Sequence, residues 1–136
     1  MSTHLKDRVE KIELFLTQLA EESVKGKPIV VEGKKDLESL RELGVNGAIL
    51  TVKTGGKSFL QATVEIEALG SCEIILLLDF DRRGREGIKR LQESLERGKM
   101  KVNVKFWCEL HSLVGREVSC IESLPAYMAT MQQKVA

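Results

Sequence analysis

Aromatic side chains make up only 4% of the sequence, and that scarcity limits how the chain can read a ligand. Gripping single-stranded nucleic acid by stacking needs several exposed rings. Phe106 and Trp107 fall in a stretch that reads as a strand and are expected to face the core, so sequence-specific base readout is not expected. Cysteine is equally thin. Cys72, Cys108 and Cys120 are odd in number and far apart, which excludes a disulfide framework and a zinc motif. They read as reduced, mostly buried thiols. The two histidines, His4 and His111, make no metal cluster and are taken as structural or exposed. No apolar run approaches the ~20 residues that span a bilayer. The opening "MSTHLKDRVEK" lacks the apolar stretch of a signal peptide, so a cytoplasmic location and no membrane partner are expected. The net charge is only +1. A nucleic-acid role therefore cannot be argued from the total.

What is present suits one globular domain. The chain has 136 residues, 43% apolar and 30% charged, enough to enclose a core but short for two. Leu5, Val9, Ile12, Leu16 and Leu19 recur at helical spacing, marking an amphipathic helix within an N-terminal segment 3–24. "GKP" at 26–28 breaks it. "PIVVEG" (28–33) reads as a buried strand, "KDLESLRELG" (35–44) as a helix stopped by Gly44, and "GAILTV" (47–52) as a second strand. A helix is expected over 57–69, with Phe59, Leu60, Val64 and Ile66 available to a core. "CEIILLLD" (72–79) is the strongest strand, apolar at every position and so covered on both faces. A helix over 85–98 presents Ile88, Leu91 and Leu95 and ends at Gly98, and "VNVKFWCEL" (102–110) reads as the fourth strand. In the C-terminal segment 116–136, a helix starting at Ser123 tolerates Pro125 in its first turn. Strand and helix alternate four times after a leading helix, which predicts an α/β layer fold with parallel strands and right-handed crossovers. The whole of 1–136 is read as a single domain with its core at 27–110.

Charged residues gather at two strand ends. In an open parallel sheet, ligands bind outside the carboxyl ends of the strands. The first strand ends in "VVEG", with Glu32 at its tip. The third ends in "LLLDFD", with Asp79 and Asp81. Residues i and i+2 of an extended chain share a face, so the two aspartates converge while Phe80 points inward. Three converging carboxylates need protons or a cation, and oxygen-only ligands suit a hard divalent ion such as Mg²⁺. Arg82, Arg83 and Arg85 follow at once, within a span (82–105) holding nine bases and three acids, 9 − 3 = +6. Such bases either form a solvated helix face or meet phosphate. Helix capping is the plainer role for Asp81 and for Asp36.

"VVEGKKD" followed by "LLLDFDRRGREG" resembles the Toprim domain shared by type IA and II topoisomerases, bacterial primases, OLD-type nucleases, recombination mediators and the ribonuclease that matures 5S ribosomal RNA. In size, and in its leading helix, the chain is similar to the small stand-alone, primase-like Toprim proteins of archaea and bacteria. The resemblance implies a Rossmann-like parallel sheet of four strands with helices on both faces. It implies Mg²⁺ (or Mn²⁺) held by Asp79 and Asp81, with Glu32 as general acid/base or further ligand. Gly33 and Gly84 are expected to serve as the turn residues beside these acids, and Lys34, Arg82, Arg83 and Arg85 as phosphate ligands.

Within that family several activities fit poorly. A topoisomerase needs a tyrosine nucleophile on another domain, and the one tyrosine, Tyr127, sits in the C-terminal segment among apolar residues. Zinc modules like those of the larger primases and recombination mediators are absent. Two readings remain: a Mg²⁺-dependent nuclease or nucleotidyl-transfer activity on RNA or DNA, or a non-catalytic metal- and nucleic-acid-binding module that works within a larger complex.

Overall fold

The computed structural model describes residues 3–53, 58–71 and 73–136. Along the chain run α1 (Thr3–Val24), β1 (Ile29–Val31), α2 (Lys34–Glu42), β2 (Ile49–Thr51), α3 (Phe59–Ala68), β3 (Glu73–Leu76), α4 (Arg82–Arg97), β4 (Lys101–Asn103), α5 (Lys105–Val114), a 3-10 turn (Ile121–Ser123) and α6 (Leu124–Val135). The strands form one parallel sheet in the order β2-β1-β3-β4. Ile29 lies opposite both Ile49 and Ile75, and Ile74 opposite Val102. Strand order reverses between β1 and β3, which makes their carboxyl ends the crevice of the fold.

The alternation of side chains across each strand explains the unbroken apolar runs. Ile29, Val31, Ile75 and Leu77 point into one layer, packed with Ile12, Phe15 and Leu19 of α1, Leu40 of α2, Leu110 of α5 and Met128 of α6. Val30, Ile74, Leu76 and Leu78 point the other way, onto Ile66 of α3 and Ile88, Leu91 and Leu95 of α4. Each such side chain contributes about 1.5–3 kcal/mol by leaving water. Both faces of β1 and β3 are covered, as their composition predicts. α6 starts after Ser123 with Pro125 in its first turn.

Three expectations are corrected. The fourth strand does not run through 102–110: β4 (Lys101–Asn103) ends at Asn103 and α5 follows. Phe106, Trp107, Leu110 and Val114 recur at helical spacing and pack inward, so the period is 3.6 and not 2. That helix turns Cys108 outward, and it is exposed, while Cys120 is half-buried. The thiols are therefore not mostly buried; Cys72 lies outside the described residues. On α3, Leu60 and Val64 are exposed, at 71% and 58%. The buried stripe runs through Ala62, Thr63 and Ile66 instead. Gly98 ends α4 as expected, in an ordinary conformation, and the left-handed residue is Lys99, at φ 65°.

Candidate metal centre

Glu32 leaves the end of β1 and is only 7% exposed. Lys53, just past β2, holds it from two sides. The Lys53 backbone N–H donates to the Glu32 carbonyl at 2.9 Å, and its Nζ lies 3.0 Å from Glu32 Oε1. Glu32 Oε2 is shielded from solvent and has no hydrogen-bond partner among the described residues. Gly33 caps α2 with φ −142° and ψ 179°. This is extended backbone open to any residue, and a Cβ there would meet nothing within 4 Å. The Gly33 N–H donates to Asp36 Oδ2 at 3.1 Å, and the Glu122 N–H donates to Asp36 Oδ1 at 2.9 Å. Asp36 therefore caps its helix from inside and ties the β1 exit to the C-terminal segment. Burial raises its carboxyl above the usual range, against the pull of those two bonds.

The second and third acids come from the exit of β3. The Leu77 N–H donates to the Val30 carbonyl at 2.8 Å, so pairing with β1 continues past the strand. The next residues are pinned from the opposite layer: Trp107 Nε1 donates to the Leu78 carbonyl at 2.8 Å, and the Phe80 N–H donates to the Ser119 carbonyl at 2.8 Å. Phe80 is buried against Trp107 and His111. Asp79 and Asp81 consequently emerge together. Asp81 Oδ1 accepts the Gly84 N–H at 2.7 Å and caps α4, so the capping role is real and engages one of its oxygens. Gly84 is indispensable here, because a Cβ would fall inside the Asp79 carbonyl.

Glu32, Asp79 and Asp81 each place an oxygen within 4.8 Å of the other two. Asp79 Oδ1, like Glu32 Oε2, is shielded and unpartnered among the described residues. Burial, and then the adjacent Glu32 carboxylate, push the Asp79 carboxyl up to about 8. Two orphaned carboxylate oxygens in one crevice are costly unless a cation or proton satisfies them. An oxygen-only donor set fits a hard divalent ion.

The expected phosphate-binding bases divide. Arg83 lines the cavity beside Glu32. Arg85 and Lys34 are exposed at the first turns of α4 and α2. Arg82 Nε is occupied by Glu86 Oε1 at 3.1 Å. Lys53 is the residue sequence reasoning missed. Its position immediately past the second strand is the one signal it leaves in the sequence.

Residues 27–106 match the model of the Toprim domain. The chain belongs to the Toprim family. It is similar to the UPF0292 protein of Methanosarcina acetivorans, at 33% identity over 95% of this chain and 88% of that one. It is similar also to that of Methanocaldococcus jannaschii, at 43% identity over 75% and 78%. A solved protein from Aquifex aeolicus shares the fold, with a TM-score of 0.64 at 23% identity over 80% of this chain and 94% of that one. Toprim domains bind divalent metals, and membership points to metal-dependent, nucleic-acid-related work. Among the described residues, no helix of this Toprim protein is long and apolar enough to cross a membrane.

Proposed function

We propose that this Toprim protein carries out Mg²⁺-dependent phosphoryl transfer on RNA or DNA, as a small nuclease- or primase-like activity, with Mn²⁺ able to replace Mg²⁺. The observation that carries the reading is the convergence of Glu32, Asp79 and Asp81, with two buried oxygens lacking partners. Asp79 and Asp81 hold the ion, and a bound divalent cation neutralises charge on the phosphate. Glu32 is fixed through Oε1 by Lys53. Its Oε2 is thereby aimed to orient the attacking water or hydroxyl and take its proton. Lys34, Arg83 and Arg85 meet the phosphodiester, Arg83 nearest to Glu32, and Arg82 joins them on leaving Glu86.

Labelled RNA and DNA oligonucleotides incubated with Mg²⁺ or Mn²⁺ test the reading, scored for cleavage and for extension. Glu32→Gln and Asp79→Asn are each expected to abolish turnover. Activity that survives both changes sinks the assignment.

A further inference from the structure

A cavity of about 310 Å³ opens beside Glu32, on the α3–α4 side of the sheet. Val52, Leu78 and Leu91 give it an apolar lining, beside the charged Lys53 and Glu86. On its wall the guanidinium carbon of Arg90 lies 4.1 Å from the centre of the Phe59 ring. Arg83 also lines it. Glu32 is the wall shared with the acidic centre, and its Oε2 has no partner among the described residues. Holding a metal and a phosphate requires no apolar compartment of this kind.

The volume sits at the low end of the ~300–1,000 Å³ typical of small-ligand sites. That is room for one nucleoside and too little for a stacked duplex. An apolar lining beside a paired ring and guanidinium suits the face of a nucleobase, since bases stack on both aromatic rings and arginine planes. Arg83 is placed for the attached phosphate.

The geometry points to a nucleoside subsite: the cavity takes one unstacked nucleotide next to the acidic centre of Glu32, Asp79 and Asp81. The inference rests on the phosphoryl-transfer reading for its substrate class. It makes the preferred substrate single-stranded, or frayed, at the reacting position.

Adenosine 5′-monophosphate and ribose 5-phosphate, titrated into the full chain by calorimetry and ¹H–¹⁵N NMR, test it. The nucleotide is expected to bind at least ~10-fold more tightly than the sugar phosphate, the scale of one stacked base. Its shifts should centre on Val52, Phe59 and Leu91. Arg90→Ala and the conservative Phe59→Leu should each remove most of that advantage while Mn²⁺ binding, read by electron paramagnetic resonance, stays unchanged. Equal affinity for the two ligands, or nucleotide binding untouched by both variants, overturns the subsite. The two readings fail separately. Nucleotide binding without Mn²⁺ binding at the acids keeps the subsite and refutes the metal centre; Mn²⁺ binding without nucleotide preference does the reverse.

Discussion

At the scale of single residues, two glycines beside the acids carry opposite constraints. Gly84 lets the first turn of α4 touch the Asp79 carbonyl, and any Cβ there must displace one of them. Gly84→Ala is expected to cost about 1–3 kcal/mol in urea unfolding and to weaken Mn²⁺ binding by moving Asp79. Gly33→Ala, in extended backbone with open space above it, should stay within about 0.5 kcal/mol of wild type. Equal effects of the two changes would refute this account of the turn. Asp79 supplies a pH signature. Its carboxyl ordinarily titrates near 3.8 and reaches about 8 in the fold, through burial first and the Glu32 carboxylate second. Between those values the folded protein holds a proton that the unfolded chain releases, so stability falls as pH rises from about 4 to about 8. Allowing for the partial exposure of Asp79, the loss is roughly 1–2 kcal/mol. The urea midpoint in chelator should therefore be higher at pH 5 than at pH 8. Asp79→Asn should flatten the difference, and Mg²⁺ should restore stability at pH 8. Parallel pH profiles for wild type and Asp79→Asn would exclude this origin.

At the scale of elements, α4 shows how a local rule can be met by an unexpected residue. The Met100 N–H bonds the Leu95 carbonyl at 3.0 Å, and the Lys99 N–H bonds the Glu96 carbonyl at 2.9 Å. This is the Schellman closure, with Lys99 in the left-handed position that favours glycine. Lys99→Gly is expected to raise stability by about 0.5–1 kcal/mol, read as a higher thermal midpoint; a lower midpoint would refute it. Elements were legible in the sequence where periodicity was strong. Ile88, Leu91 and Leu95 specified the buried face of α4, and the runs at 28–33 and 72–79 specified the central strands. α5 was not legible as a helix, because Val102, Val104 and Phe106 alternate well enough to imitate a strand before the helical set begins. The site divides on the same physical ground. Glu32, Asp79 and Asp81 were readable because strand ends and i, i+2 spacing are local. Lys53 reaches Glu32 only through the pairing of β2 with β1, and Arg90 meets Phe59 only through the packing of α4 on α3. Neither contact leaves a local trace.

At the scale of the whole molecule, the candidate metal centre depends on segments outside the matched domain. The sheet order brings the ends of β1 and β3 together, but three hydrogen bonds with later residues fix the chain there. Trp107 holds Leu78, Ser119 holds Phe80, and the Glu122 N–H reaches Asp36. Ser119 and Glu122 lie beyond residue 106, where the Toprim match ends. They are anchored by Ile121, Leu124 and Met128 in the same core as α1 and α5. The C-terminal segment thus acts as a brace across the crevice and is more than a cover for the sheet. Asp36 is the point where the brace meets the β1 exit. Asp36→Ala leaves the Gly33 and Glu122 N–H groups without their acceptor, which should cost about 1–3 kcal/mol. If the brace positions the site, the same change should weaken Mn²⁺ affinity several-fold although Asp36 is outside the three-carboxylate cluster. Glu38→Ala, an exposed change on the same helix, should alter neither quantity. Calorimetric titration of Mn²⁺ into both variants, at a temperature where each remains folded, separates the two roles. Lower stability with unchanged Mn²⁺ affinity would mean that Asp36 holds the fold without setting the geometry of the acids.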